Sequence, residues 1–310
     1  MKRVVILTTF LLALPSVVFA ESFAKVGTFG GQFLKIGTSA RATGMGSAFT
    51  GVADDATSVF WNPGGLVNVI KNEVSLNHVV WPADTKLSTA IVAFNPRSIP
   101  GTFAISVRSF WMDPQLVRTA YNPEGTGETF DSGMSTFGLT YARFFTDKFS
   151  AGATVNYLHM GLAEKAVNTG ALDFGIMYRI GIRELKLGMC MQNLGGKFTY
   201  DERESKLPVI FKVGLSANAF RNEHQALLLS AEFAHPADNV EHANVGGEYS
   251  LNDLFFARVG YHINYDTDGL AFGFGVGISA SETTRLLADY SAVDMGPLQY
   301  VHRFTLSVVF

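Results

Sequence analysis

The chain has one cysteine, Cys190, in 310 residues, so neither a disulfide framework nor a cysteine-based metal site is open to it. Proline is scarce at ten, and charged residues make up only 16%. Long apolar runs are missing too. Beyond the N-terminal leader, no stretch supplies the roughly eighteen uncharged apolar residues of a spanning helix. Yet mean hydropathy is +0.18, high for a water-soluble protein. Hydrophobicity without runs must be spread through alternating strands. The histidines are scattered, with only His235 and His242 near each other, and neither His-x-x-x-His nor His-Glu-x-x-His occurs. A Gly-x-Ser-x-Gly nucleophile elbow is absent as well. No catalytic, cofactor-binding or metal-ligating residues are therefore expected, and the chain reads as a non-enzyme. A net charge of −3 without basic clusters argues against a nucleic-acid partner.

The two ends carry export and assembly signals. Lys2 and Arg3 precede an apolar run over residues 4–14, then Pro15, Ser16 and the small-residue exit Val18-Phe19-Ala20. This pattern predicts a secretory signal peptide over 1–20, cleaved after Ala20. No cysteine follows to carry a lipid. At the other end, Tyr300, His302, Phe304, Leu306, Val308 and Phe310 alternate with Val301, Arg303, Thr305, Ser307 and Val309. One face is almost wholly apolar and the other largely polar. That is the length and period of a strand with one face to lipid and one to a lumen. An edge strand of a soluble sandwich is the competing reading. Apolar residues at alternate positions before a terminal Phe resemble the C-terminal signal of bacterial outer-membrane barrels, which implies Phe304, Leu306, Val308 and Phe310 as the mark read by the barrel-assembly machinery.

Between residue 73 and the C-terminus, fourteen segments alternate, the first over 73–81 and the last over 299–310. In one of them Leu270, Phe272, Phe274, Val276 and Ile278 oppose Ala271, Gly273, Gly275, Gly277 and Ser279. A face of Gly, Ser and Lys cannot be a soluble core; it fits a lumen filled by a plug or by water. The expected fold is all-β: a transmembrane antiparallel barrel of about fourteen strands over 73–310, with a short plug over 21–72. Connection lengths agree with this count. The odd-to-even ones, which point outward in such a barrel, include the long 112–132 and 194–207, whereas the inward ones are tight turns such as 146–148, 251–253 and 281–283. Trp81 and Trp111 fall at outer strand ends, where an aromatic girdle is expected. Parity sends Arg108, Asp173, Lys186, Lys212, Glu232, Glu248, Arg258, Arg285, Asp289 and Arg303 to the lumen, since a lipid-facing Arg or Lys costs about 2–4 kcal/mol at the midplane. These charges have two readings: ion pairs between plug and wall, or a polar transport path. Asp54-Asp55 fit the first, as partners of inward basic residues. No apolar pocket can be read from the inward face.

Residues 21–72 do not alternate. The stretch 37–66 is rich in Gly, Ala and small polar residues, as a plug pressed against a wall requires. It ends in Asn62-Pro63-Gly64, a turn in which Asn62 can form an Asx-turn and Pro63 fixes φ. A flexible lead-in to the first strand is the alternative. This stretch resembles the N-terminal hatch of the long-chain fatty-acid transporter superfamily, and within it is most similar to the PorV/PorQ family. The superfamily's Asn-Pro-Ala stands here as Asn62-Pro63-Gly64. The resemblance implies a Gram-negative outer-membrane barrel occluded by its hatch, in contact with membrane lipid and lipopolysaccharide.

For function, the PorV/PorQ resemblance implies a part in type IX protein secretion, with secreted cargo or secretion-system proteins as partners. The outward loops would then bind, through Tyr121 in 112–132 and Phe198, Tyr200 and Arg203 in 194–207; polar loops with a few exposed aromatics suit an interface. The superfamily resemblance implies instead an outer-membrane transporter of hydrophobic small molecules.

Overall fold

The computed structural model describes residues 27–310 apart from positions 97, 183 and 201, so the signal-peptide expectation lies outside the described residues. Fourteen antiparallel strands close into a barrel. They are β1 (Glu73–Trp81), β2 (Thr85–Phe94), β3 (Thr102–Met112), β4 (Ser132–Phe144), β5 (Phe149–Leu162), β6 (Lys165–Arg179), β7 (Lys186–Gly195), β8 (Ile210–Arg221), β9 (Gln225–Pro236), β10 (His242–Leu251), β11 (Phe255–Ile263), β12 (Leu270–Ser279), β13 (Arg285–Asp294) and β14 (Tyr300–Val309). Neighbours in sequence pair with one another, and β14 closes the ring on β1 from Glu73↔Val309 to Val80↔His302. Closure leaves no open sheet edge, the condition for strands to cross a bilayer. Phe304, Leu306, Val308 and Phe310 lie on the outer face of this closing strand.

The wall is apolar outside and polar inside. Facing outward, Leu270, Phe272, Phe274 and Ile278 are exposed, as are Leu229, Phe233 and Val259. Facing inward, hydroxyls and amides bond across strands: Asn77 Nδ2 donates to Thr89 Oγ1 at 2.9 Å, Thr305 Oγ1 donates to Asn77 Oδ1 at 2.7 Å, and Thr140 and Thr154 hydroxyls meet at 2.9 Å.

Residues 27–72 run down the inside of this polar tube. The described chain starts at the outward mouth with a 3-10 turn, Gln32–Lys35. Below it comes α1 (Ala40–Gly44), whose N-cap Ser39 accepts from Ala42 N. Then follow α2 (Ser58–Trp61) and the 3-10 turn Pro63–Asn68. Met45, Phe49, Val52 and Ala53 bury completely among themselves and Trp61, so the molecule's apolar core belongs mainly to this segment. A second cluster packs Val59, Leu66 and Val67 against Ile91, Ala93, Ala104 and Ala142 of the wall.

Asn62 makes the predicted turn. Its Oδ1 accepts from Gly64 N at 3.1 Å, and its Nδ2 donates to Thr50 O and to Ile176 O of β6, at 2.9 and 3.0 Å. The glycine that follows has a steric reason: a Cβ on Gly64 would stand 2.6 Å from Gly175 O. Gly46 is held likewise, at φ 61 with its missing Cβ 2.7 Å from Tyr261 N. Backbone lies on backbone at both places, which only glycine permits.

Both long outward connections contain structure of their own. Gln115–Leu116 pairs with Thr129–Phe130 in one, and Phe198–Tyr200 with Arg203–Ser205 in the other.

Candidate functional site

Under the outward mouth lies a cavity of about 520 Å³. Its roof is the Gln32–Lys35 turn and the residues that follow it to Thr38; its floor is Phe60 and Trp61 of α2. Trp81, Phe110, Met134, Ile210 and Met295 supply apolar wall. Three cations reach in from the barrel, each over an aromatic ring. Arg108 lies 4.4 Å from the Phe60 ring centre, Lys212 5.1 Å from Trp61, and Arg303 5.8 Å from Trp81.

The arginines also hold the roof. Arg108 Nη1 donates to Leu34 O at 2.8 Å, and Arg303 Nε to Gly37 O at 2.9 Å. From the opposite side Asp238, buried in the β9–β10 turn, accepts from Gln32 Nε2 at 2.7 Å and pairs with Lys35 Nζ at 3.1 Å. Gly30 N donates to Lys206 O at 3.0 Å, tying the roof to the β7–β8 loop. Capacity is left over at the site. Arg108 Nε, Arg303 Nη1, Trp61 Nε1 and Asn244 Oδ1 are buried and have no hydrogen-bond partner among the described residues. Buried donors left unmatched cost about 1–3 kcal/mol each, more when charged. A cavity lined this way takes an apolar body and offers cationic donors to a negative head.

Beneath the cavity a cluster of paired charges surrounds Arg41. Arg41 of α1 reaches Asp54 at 2.6 Å and Asp55 at 3.0 Å within the plug, and Glu248 of β10 at 2.9 Å. Glu248 also pairs with Arg258 at 2.6 Å, and Arg258 with Asp289 at 2.6 Å. Lys186 stands 3.9 Å from Asp54. Glu232 accepts from Phe49 N and Thr50 N, at 3.2 and 2.9 Å. Burial pushes the Asp55 carboxyl above its ordinary range, with Arg41 pulling it down and Asp54 adding to the rise.

The expected lumen charges thus sort into groups. Arg108, Lys212, Glu232 and Arg303 line the cavity; Lys186, Glu248, Arg258 and Asp289 join the clasp around Arg41. Asp173 braces the wall, accepting from Asn156 Nδ2 at 2.7 Å and from Asn193 N at 2.6 Å where the β6–β7 register shifts. Arg285 sits at the inward rim and donates to Asp253 O.

Three expectations need correction. Trp81 does not belong to an outer girdle: it shares the inward face with Glu73, Ser75, Asn77 and Val79 and lines the cavity, whereas Trp111 does face outward, 6.4 Å from His78. The polar Glu73, Ser75 and Asn77 would have revealed that parity. Phe198 is not an exposed loop contact. It is 9% exposed and packs with Phe33, Leu158 and Leu207, because its hairpin folds back over the barrel mouth and hides its aromatic face on the plug. Tyr200 follows it inward, its hydroxyl donating to Leu162 O and Lys165 O at 3.3 and 3.4 Å, while Arg203 and Tyr121 stay exposed. Finally, an apolar pocket does exist. Parity of the wall could not show it, because Phe33, Phe60 and Trp61 come from the plug.

Solved structures match this architecture over most of the chain. A FadL homologue of Pseudomonas aeruginosa covers 89% of this chain with 98% of its own, at a TM-score of 0.56 and 13% identity. The fold is FadL-like. The toluene transporter TbuX of Ralstonia pickettii covers 86% of this chain with 96% of its own, at a TM-score of 0.58 and 12% identity. TodX, the toluene transporter of Pseudomonas putida, gives 86%, 96%, 0.56 and 12% for the same four measures. At such identities the likeness is one of fold. No family model and no curated protein matches the chain. In this FadL-like barrel the cavity sits under the outward mouth between two parts of the plug, and the rest of the described plug fills the lumen below it.

Proposed function

We propose that this protein is an outer-membrane channel for hydrophobic small molecules, with a preference for those that end in an anionic group. The observation that carries this reading is the roofed cavity, in which an aromatic lining meets Arg108 and Arg303 with buried donors unmatched. Such a site favours an amphiphile over a plain hydrocarbon, because a charge-assisted hydrogen bond contributes about 1.5–3 kcal/mol. The lipid-facing wall and the signal-peptide pattern over 1–20 support an outer-membrane location, and the FadL-like fold is shared with proteins described as toluene transporters. Transport requires the plug to shift, and the hatch turn at Asn62, Pro63 and Gly64 is its fixed end against β6.

The test compares two probes, radiolabelled laurate and toluene, taken up by cells that express the protein as their sole channel of this fold. Laurate uptake well above that of cells without the protein, and exceeding any gain for toluene, is the expected result. Equal gains would remove the preference for an anion, and no gain for either would end the transport reading.

The PorV/PorQ reading keeps one specific support. Tyr121 is 95% exposed at the tip of the longest outward loop, with Leu116 exposed beside it. It loses Phe198, which packs on the plug, and Tyr200, which bonds to the β5–β6 turn. Replacing the tip of loop 113–131 by a Gly-Ser turn and measuring retention of secreted proteins tests it: unchanged retention removes the secretion role.

A further inference from the structure

The lipid-facing band of the barrel is not level. A strand residue rises about 3.3 Å, and at a tilt near 40° this gives about 2.5 Å of height along the barrel axis. On β12 the outward residues from Leu270 to Ile278 are all apolar and span about 20 Å, close to the ~25 Å band of an outer-membrane barrel. On β4 the run is much shorter. Phe137, Leu139 and Tyr141 cover only about 10 Å. Above them Ser135 pairs across to His159, and His159 Nδ1 meets Asn168 Oδ1 at 2.8 Å on the same outer face, so the wall of β4–β6 turns polar well before its outward end.

The missing apolar length lies at the inward end. Phe145, just past β4, is 58% exposed, and Ile182, in the β6–β7 turn, is 70% exposed. Counting Phe145 restores the β4 column to about 20 Å, and counting Ile182 brings the β6 column from Leu172 to about 25 Å. Arg143 faces outward between Tyr141 and Phe145 and bends down to lay its guanidinium 4.8 Å from the Phe145 ring centre; Lys148 is exposed in the same turn. A lipid-facing arginine is tolerated where it can snorkel to headgroups. The inward turns after β8, β10 and β12, at 222–224, 252–254 and 281–283, of which the last lies across the ring, contain no Phe, Tyr or Trp and no exposed large aliphatic residue.

We infer that the turns after β4 and β6 are immersed in the interface of the inner leaflet, where Phe145 and Ile182 enter the acyl boundary and Arg143 and Lys148 meet phospholipid phosphates. The occupant of this exposed apolar patch is phospholipid. As a result the barrel sits deeper on its β4–β6 side, and the outward ends of those strands stand clear of the hydrocarbon.

Tryptophan quenching tests this. In a Trp111→Phe background, Trp61 and Trp81 remain inside the barrel as a constant signal. Ile182→Trp, Phe145→Trp and, on the opposite side, Glu282→Trp are each reconstituted in phosphatidylcholine–phosphatidylglycerol vesicles whose acyl chains carry bromine near the carbonyl end. Only protein with the heat-modifiable mobility of a folded barrel is measured. The added emission at 182 and at 145 is expected to fall about twofold against unbrominated vesicles, the depth being that of an interfacial side chain. Emission at 282 should hardly change. Quenching at 182 and 145 no greater than at 282 would overturn the inference and leave those turns to water or to a protein.

Discussion

The upper and lower halves of the lumen contain the same kinds of residue and use them differently. Around Arg41 charges meet opposite ones: two plug carboxylates, then Glu248, Arg258 and Asp289 in a chain of contacts between 2.6 and 3.0 Å. Around the cavity the arginines lie on aromatic rings and carbonyl oxygens, with donors left over. Matched charges fix one element to another. Unmatched ones keep a site ready for a guest. The difference separates what holds the plug from what the plug is there to cover.

The comparison breaks most readily at Arg41. Arg41→Ala should leave Asp55 without a cation, take one partner from Asp54 and Glu248, and weaken plug docking by about 3–5 kcal/mol, the usual effect of removing one partner of a buried pair. Conductance in planar bilayers is then expected to rise, and an unchanged current would mean the clasp does not hold the plug. The second test is in the upper half. Arg108→Ala with Arg303→Ala should lower laurate affinity by about a hundredfold or more, at about 1.5–3 kcal/mol for each lost charge-assisted contact, while leaving conductance low. A fluorescence titration reads the affinity; if it stays the same, the cavity cations play no part in recognition.

Gly64→Ala sharpens the comparison at the fixed end of the plug. Its Cβ would meet Gly175 O at 2.6 Å, and the overpacking should cost about 1–3 kcal/mol, seen as a lower temperature for loss of the folded band on a gel. Band loss at the parental temperature would show that the plug can slide away from β6. The smallest effect is expected at Lys212. Lys212→Met keeps the stem on Trp61 but removes the cation, worth about 0.5–1 kcal/mol at a partly exposed site, so laurate should bind only a few times more weakly. A loss as large as that of the double arginine variant would make Lys212 the main anion ligand.

Much of the wall was legible in the chain. The period of two in 270–279 fixed which side of β12 meets lipid, and turn residues such as Asn252-Asp253 marked the inward connections. Asn62-Pro63 announced its turn because the Asx bond is local. The site was only half legible. Arg108 and Arg303 could be assigned to the lumen by parity, but not Lys35 to Asp238, which lie 203 positions apart in sequence. Arg41 lay in the plug segment, where no parity rule applies.

Strand number and the two faces of the wall follow from the sequence alone, since side chains on a pleated ribbon must alternate and a bilayer accepts only one of the two faces. Where the plug rests in the lumen, which cations it satisfies and which it leaves over, and that its own Phe33, Phe60 and Trp61 build the pocket were decided only by the closed structure. Those contacts join residues distant in sequence, and their energies come from burial and pairing that exist only once the barrel has closed around the segment.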